Sequence, residues 1–273
     1  MQDDAAQVHL EPWHFFSPYT GVSLYIKYMV NYTPKALYCV VIVLIVFPIL
    51  ALAQTTGRSG LAPTQSYLSG RYHPDPSSVK VARLHYSGGG DWYWGGSAVP
   101  NFLRYLRDST CFPVDTIERQ VTIMDADLFQ YPFLFATGHG VMSFSAEEKE
   151  RLRMYLHGGG FLFVNDSYGM AKSFIAEMRQ LFPERDIVEL PFDHAIYRCF
   201  YDFPNGPPKI HEHDGEPPRG YAIILNGRVT LYFLVESDIG DGWEDPQVHN
   251  DPPDKRAEAL RMGVNIVAYA LLH

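Results

Sequence analysis

The stretch Tyr155-Leu156-His157-Gly158-Gly159-Gly160-Phe161-Leu162-Phe163-Val164-Asn165-Asp166-Ser167-Tyr168-Gly169 constrains this chain most. It combines a helix end, a glycine stop, a wholly apolar strand and an abrupt turn towards another helix. A strand apolar on both faces must be covered on both faces, which is the habit of parallel sheets in α/β proteins. The turn also carries a hydroxyl and a carboxylate at the strand exit, where such sheets bind ligands.

The rest of the chain repeats the alternation. Val79–Tyr86 is expected as a strand running into the glycine loop Ser87–Gly96, followed by a helix over Ala98–Asp108 with Ser97 as its cap. Phe133–Thr137 is a second continuous apolar strand, ending in Gly138-His139-Gly140. Ser145-x-x-Glu148 forms a capping box ahead of a helix over Ala146–Leu156 that Gly158 stops. A helix is expected around Met170–Phe182 and a short strand at Ile187–Leu190. Asn226-Gly227 marks a hairpin between Tyr221–Leu225 and Arg228–Val235. Pro252 and Pro253 open a last helix, Asp254–Leu271. The pattern implies a three-layer α/β sandwich with a mostly parallel central sheet. Four loops, Ser87–Gly96, Gly138–Gly140, Asn165–Gly169 and Glu236–Asp245, are expected to meet at the carboxyl edge of that sheet.

The N-terminal part carries a different message. Ala36–Ala53 has no charge, comes after Lys27 and Lys35, and ends Ala51-Leu52-Ala53, the pattern of a signal peptide or a membrane anchor. Either reading exports the chain beyond Gln54, giving a periplasmic or other extracytoplasmic domain that is membrane-attached if the segment is retained. Residues 1–53 are therefore read as an extension plus leader or anchor. Residues 54–78, rich in Gly, Pro, Ser and Thr, are read as a flexible tether, and 79–273 as one domain with its own core. The chain of 273 residues has a net charge of −9 and no Lys/Arg cluster, which excludes a nucleic-acid partner. Beyond Cys39, only Cys111 and Cys199 remain, enough for one disulfide in an oxidising compartment but not for a framework.

Several residue patterns suggest chemistry. Asn165-Asp166-Ser167-Tyr168-Gly169 resembles a nucleophile elbow in which Ser167 attacks, although Asn165 stands where a glycine is usual. The alternative is that Ser167 or Asp166 simply caps the next helix. His194 comes in the chain order expected of a triad base, with Asp166 or Asp238 orienting it; it reads equally as a hydrogen-bonded loop histidine. His139 between two glycines is expected to line a ligand site with Gly138 and Gly140. Gly89 and Trp92, in the first glycine loop, and Asp238 and Trp243, in the acidic loop, complete the expected ligand-binding set. That acidic loop lacks the spacing and closing Glu of an EF-hand. His211-Glu212-His213-Asp214 puts two imidazoles close together, but no third zinc ligand is legible, so no metal and no other cofactor is assigned.

Taken in order, Leu134–Gly140, Gly159–Leu162 ahead of Asn165-Asp166-Ser167, Asp193–Tyr197, Gly227-Arg228, Ser237–Glu244 and Arg261–Leu271 resemble domain-of-unknown-function family 4159 over about residues 79–272. That family is similar to the class I glutamine amidotransferase-like superfamily, and trehalose-utilisation-type proteins are similar relatives. The resemblance implies a flavodoxin-like α/β sandwich. In the amidotransferases the elbow holds a cysteine; Ser167 stands at the matching position, so glutaminase chemistry is not expected. The resulting expectation is an exported or membrane-tethered domain that binds a small molecule, glycan or peptide at the strand carboxyl edge. The alternatives are a hydrolase or acyl transferase using Ser167 and His194, and a structural component of a bacterial envelope assembly with protein partners there.

Overall fold

Side-chain alternation along the central strands decides the layering. The computed structural model describes residues 78–273; the leader, anchor and nearly all of the tether expected from the sequence lie outside the described residues. The strands are β1 (Val81–Leu84), β2 (Arg119–Val121), β3 (Phe133–His139), β4 (Phe161–Tyr168), β5 (Val188–Glu189), β6 (Arg219–Leu225) and β7 (Arg228–Val235). On β3 and β4, Phe133, Phe135, Phe161 and Phe163 face one layer. Leu134, Ala136, Leu162 and Val164 face the other. Period-two alternation in which both faces are apolar requires a helix layer on each side.

Both layers are present. The aromatic face packs on α1 (Ala98–Ser109) through Val99, Phe102 and Leu106, and on the last helix through Met262, Ile266 and Tyr269. The aliphatic face packs on α2 (Ala146–His157) and α3 (Ala171–Leu181) through Leu152, Leu156, Phe174 and Met178. Two short helices, α4 (Ile239–Gly242) and α5 (Pro246–His249), interrupt the acidic loop before α6 (Pro253–Leu272).

The sheet order is β2-β1-β3-β4-β7-β6-β5. All neighbours from β2 to β7 are parallel, and β6 alone runs against the rest, paired antiparallel to β7 and β5. The hairpin signal at Asn226-Gly227 is the cause of that reversal: both residues adopt positive φ, 53° and 80°, as the tight turn demands. The chain leaves β1 to one side for β2 and returns to the other for β3. That reversal opens a crevice at the carboxyl ends of β1 and β3.

Local signals transfer closely where they are short-range. Ser145 accepts from Glu148 N while the Glu148 carboxylate accepts from Ser145 N, the full capping box. Ser97 behaves otherwise: its hydroxyl makes no cap bond to α1 and instead donates to Glu244 Oε1 and accepts from Asp245 N. Cys199 is a free, buried thiol donating to Asn265 O, so Cys111 and Cys199 do not pair. Burial pushes the Cys199 thiol up to about 12, well away from a reactive thiolate.

Trp243 is the keystone of the aromatic layer rather than a ligand wall. It is 1% exposed, stacks on Phe102 at 4.2 Å between ring centres, leans on Phe135 and Phe163, and donates its Nε1 proton to Ala259 O. Trp243, expected in the ligand-binding set, is placed in the core by that packing. Trp243→Ala is expected to cost about 3–5 kcal/mol of stability. Chemical denaturation measures it, and a loss below about 1 kcal/mol would contradict the packing role.

Candidate functional site

The four loops expected at the carboxyl edge do touch one another. From the first, the buried Arg83 of β1 fixes the backbone: its guanidinium donates to Trp94 O at 2.6 Å and Gly95 O at 2.8 Å, with Glu118 as its counter-charge. This grip presents Asp91 and Trp94 to the second loop. Asp91 Oδ1 accepts from His139 N at 2.5 Å, and Asp91 Oδ2 lies 3.0 Å from His139 Nδ1. Trp94 meets the His139 ring edge-on at 4.6 Å. The glycines make these approaches feasible. A Cβ on Gly138, whose φ is +146°, would lie 2.4 Å from the Tyr86 hydroxyl, and one on Gly89 would lie 2.3 Å from Val141 O. Gly140 N donates to Tyr168 O. Gly89, Gly138 and Gly140 thus serve loop packing through their backbone.

Third and fourth loops are joined by Asn165. Its fully buried amide donates from Nδ2 to Asp238 Oδ1 at 2.9 Å and to Thr137 Oγ1 at 3.2 Å. Its Oδ1 accepts from Gly240 N at 3.2 Å. Asp238 sits in left-handed backbone, φ 52° and ψ 51°, an uncommon and costly conformation for a residue other than glycine. Such strain persists where surrounding bonds hold it, and Asn165 supplies them.

Around this frame lies a cluster of imidazoles and carboxylates that draws on more of the chain than the four loops. His211 Nδ1 is 3.2 Å from Asp241 Oδ2, and His211 Nε2 is 2.8 Å from Asp251 Oδ1. His249 Nε2 is 2.7 Å from Glu244 Oε2 and 3.4 Å from Asp241 Oδ2. His213 Nε2 is 3.4 Å from Asp238 Oδ2. Trp94 Nε1 donates to the second oxygen of Asp241 at 3.1 Å. The carboxylates of Asp238, Asp241, Glu244 and Asp251 are at most 8% exposed, so the site concentrates negative charge away from water.

The titration behaviour reflects that geometry. Burial raises the Asp238 carboxyl, while His213 and Asn165 pull it down. Asp241 is held below its usual range: burial opposes, but the His211 hydrogen bond, His249 and Trp94 prevail. The Asp241 bond, then that to Asp251, raises His211 to about 9 against the cost of burial. His213 is raised by Asp238.

Ser167 and His194 are not brought together. The strand continues through Tyr168, so Ser167 lies inside β4, fully buried, with its hydroxyl 2.9 Å from Thr137 Oγ1 and 3.4 Å from Asn165 Nδ2. His194 packs on Tyr269 near the C-terminal end of α6. Tyr269 accepts from Val229 N at the start of β7, which places His194 towards the opposite edge of the sheet. Asp166 is the cap: its two oxygens accept from Met170 N at 2.9 Å and Ala171 N at 3.0 Å, at the start of α3. Trp92 stacks on His85 at 3.9 Å, leaving Trp94 as the aromatic wall of the cluster. A separate cleft of about 340 Å³ lies beside α6 between Tyr201, Pro204, Glu258 and Arg261, away from these groups.

The chain matches the family described as a domain of unknown function (DUF4159) over residues 80–271, nearly all of the described part. The protein belongs to that family. No curated protein matches the chain. Family membership names no activity, so the chemistry rests on the residues above.

His211 and His213 reach Asp241, Asp251 and Asp238 only through the fold, whereas His249 and Glu244 are five residues apart in the chain. One signal pointed to part of this: the Asn-Gly hairpin reverses β6, so its beginning lies beside the end of β7, with Arg219 opposite Val235. The residues ahead of β6, including His211 and His213, are thereby delivered to the acidic loop.

A fluorophosphonate probe is expected to leave Ser167 unlabelled, read by mass spectrometry of the treated full-length protein; labelling that Ser167→Ala abolishes would contradict the buried, imidazole-free geometry. His211 has a folded pKa raised above 6.5, so its stabilising contribution is complete below about pH 6.5 and fades as pH rises through about 9. In chelator-treated protein, the melting-temperature gap between wild type and His211→Gln is expected to narrow between about pH 7 and about pH 10. A gap that widens over that interval would contradict the assignment.

Proposed function

We propose that this is an exported or membrane-tethered domain whose carboxyl-edge cluster binds a small polar ligand, with a glycan unit the best-fitting class. The observation that carries the reading is Trp94. Its backbone is clamped by Arg83, its indole N–H is committed to Asp241, and its ring stands beside His139 and His249 at the mouth of the cluster. An aromatic ring rimmed by carboxylates and imidazoles offers an apolar face for a sugar ring and acceptors for its hydroxyls. Excess buried negative charge disfavours anionic ligands such as phosphates. The charge-free segment 36–53 supports export, and nothing in the cluster supports glutaminase or serine-hydrolase chemistry.

A panel of neutral and amino sugars and short peptides, scored by thermal shift on full-length protein in chelator, tests this. At least one neutral or amino sugar is expected to raise the Tm of wild type and to lose that effect in both Trp94→Ala and His139→Ala. Equal responses in wild type and both variants, or stabilisation by anionic ligands alone, would overturn the reading. Measured Kd values for any hit are expected to weaken at least about tenfold in Trp94→Ala, about 1.4 kcal/mol.

A further inference from the structure

We propose that His211, Asp241 and His249 hold a single divalent transition-metal ion of the zinc type, with Glu244 at hand for a fourth position. The inference rests on the reading that this edge is the working site and deepens it by naming an inorganic component. Each of the three residues offers one ligand atom, and these atoms lie within 4.8 Å of one another.

The spacing suits a tetrahedral ion. Metal–nitrogen and metal–oxygen bonds of about 2.0–2.1 Å imply ligand–ligand edges of about 3.3–3.4 Å. Asp241 Oδ2 is 3.2 Å from His211 Nδ1 and 3.4 Å from His249 Nε2, so two edges are already close to that length. The atoms facing outward are occupied by partners of the kind that orient metal ligands. His211 Nε2 faces Asp251 Oδ1 at 2.8 Å, which holds a proton on Nε2 and leaves Nδ1 as the nitrogen that releases its proton to bind an ion. Asp241 Oδ1 is taken by the Trp94 indole N–H, which leaves Oδ2 for the centre. Glu244 Oε2, 2.7 Å from His249 Nε2, gives up that contact when the nitrogen binds an ion and is then an oxygen at hand beside it.

A second observation is independent of those three side chains. Asp238 Oδ2 is buried without a hydrogen-bond partner, as is His213 Nε2, and these two atoms lie 3.4 Å apart without hydrogen-bond alignment. Asp238 Oδ2 lies 3.9 Å from His211 Nδ1, so the orphaned oxygen borders the same space. Buried polar atoms without partners are rare in folded proteins and commonly mark a water or an ion. A cation there offsets four buried carboxylates and brings with it water that the orphaned atoms can bind. Two imidazoles and a carboxylate select zinc-like ions over calcium or magnesium, which take oxygen ligands.

The test is calorimetric titration of chelator-stripped full-length protein with zinc chloride. One ion per chain is expected, with affinity falling at least about 100-fold in His249→Gln and in Asp241→Asn. Asp251→Asn, which removes only the orienting partner, is expected to cost about 10–100-fold. His157→Gln, on the exposed end of α2, is expected to change nothing. Cobalt in place of zinc should give the intense visible bands of a four-coordinate nitrogen–oxygen site without a thiolate band. Circular dichroism of each metal-free variant checks folding, and Asp251→Asn carries the test if a ligand variant does not fold. Binding of less than one zinc, or binding unaffected by His249→Gln and Asp241→Asn, overturns the proposal. Sugar-dependent stabilisation that persists in chelator while zinc fails to bind removes the metal alone. Zinc binding without any sugar response removes the glycan reading alone.

Discussion

A single buried amide holds the carboxyl edge together. Asn165, at the exit of a central strand, donates to Thr137 and Asp238 and accepts from Gly240, so one side chain ties β3, β4 and the acidic loop. No room exists for a larger neighbour: a Cβ on Gly240 would approach Asn165 Nδ2 to 2.9 Å. A buried amide with every partner in place specifies one arrangement, because each alternative leaves a donor or acceptor unpaired at about 1–3 kcal/mol. The left-handed Asp238 and the short helix carrying Asp241 depend on that arrangement. So, through Asp241, do the positions of His211, His249 and Trp94.

The same edge shows why the site is electrostatically unusual. Four carboxylates are withdrawn from water, and the groups that offset them are imidazoles rather than arginines or lysines. Arg83, the one fully buried guanidinium among the described residues, is spent on Glu118 and the backbone of the Trp94 loop. Imidazoles can neutralise carboxylates as protonated partners or present lone pairs to a cation. Parallel topology gathers the groups: the β1/β3 crevice brings Asp91, Trp94 and His139, and the reversed β6 brings His211 and His213 from the other side.

Much of the architecture was legible in the sequence because it rests on short-range rules. Period-two apolar strands, the Ser145–Glu148 box and the Asn226-Gly227 turn each encode their own geometry within a few residues. The convergence of four loops came from parallel strands having a common carboxyl edge. The site was legible only in part. His139 and Asp238 lie at the carboxyl edge, Asp166 caps α3, Ser167 is interior to β4, and His194 lies towards the opposite edge. The strand ran on past Val164 because Asn165 and Ser167 find partners in the layer of Thr137, a cross-strand fact that periodicity does not contain. Trp92, Trp94 and Trp243 look alike as residues; burial alone assigns the last to the core and the second to the rim. The partners of His211 lie in loops far along the chain, and only the antiparallel turn of β6 connects them.

His211, His249 and Asp241 bring one ligand atom each within 4.8 Å of one another, and the proposed cation site stands on that meeting. Anomalous diffraction collected on both sides of the zinc absorption edge, from crystals of the full-length protein grown with zinc, addresses it most directly. One strong peak is expected, bounded by His211, His249 and Asp241 and within about 2.0–2.2 Å of each ligand atom. Zinc found only on exposed histidines such as His157, with the three residues still bonded to one another around no peak, would contradict it.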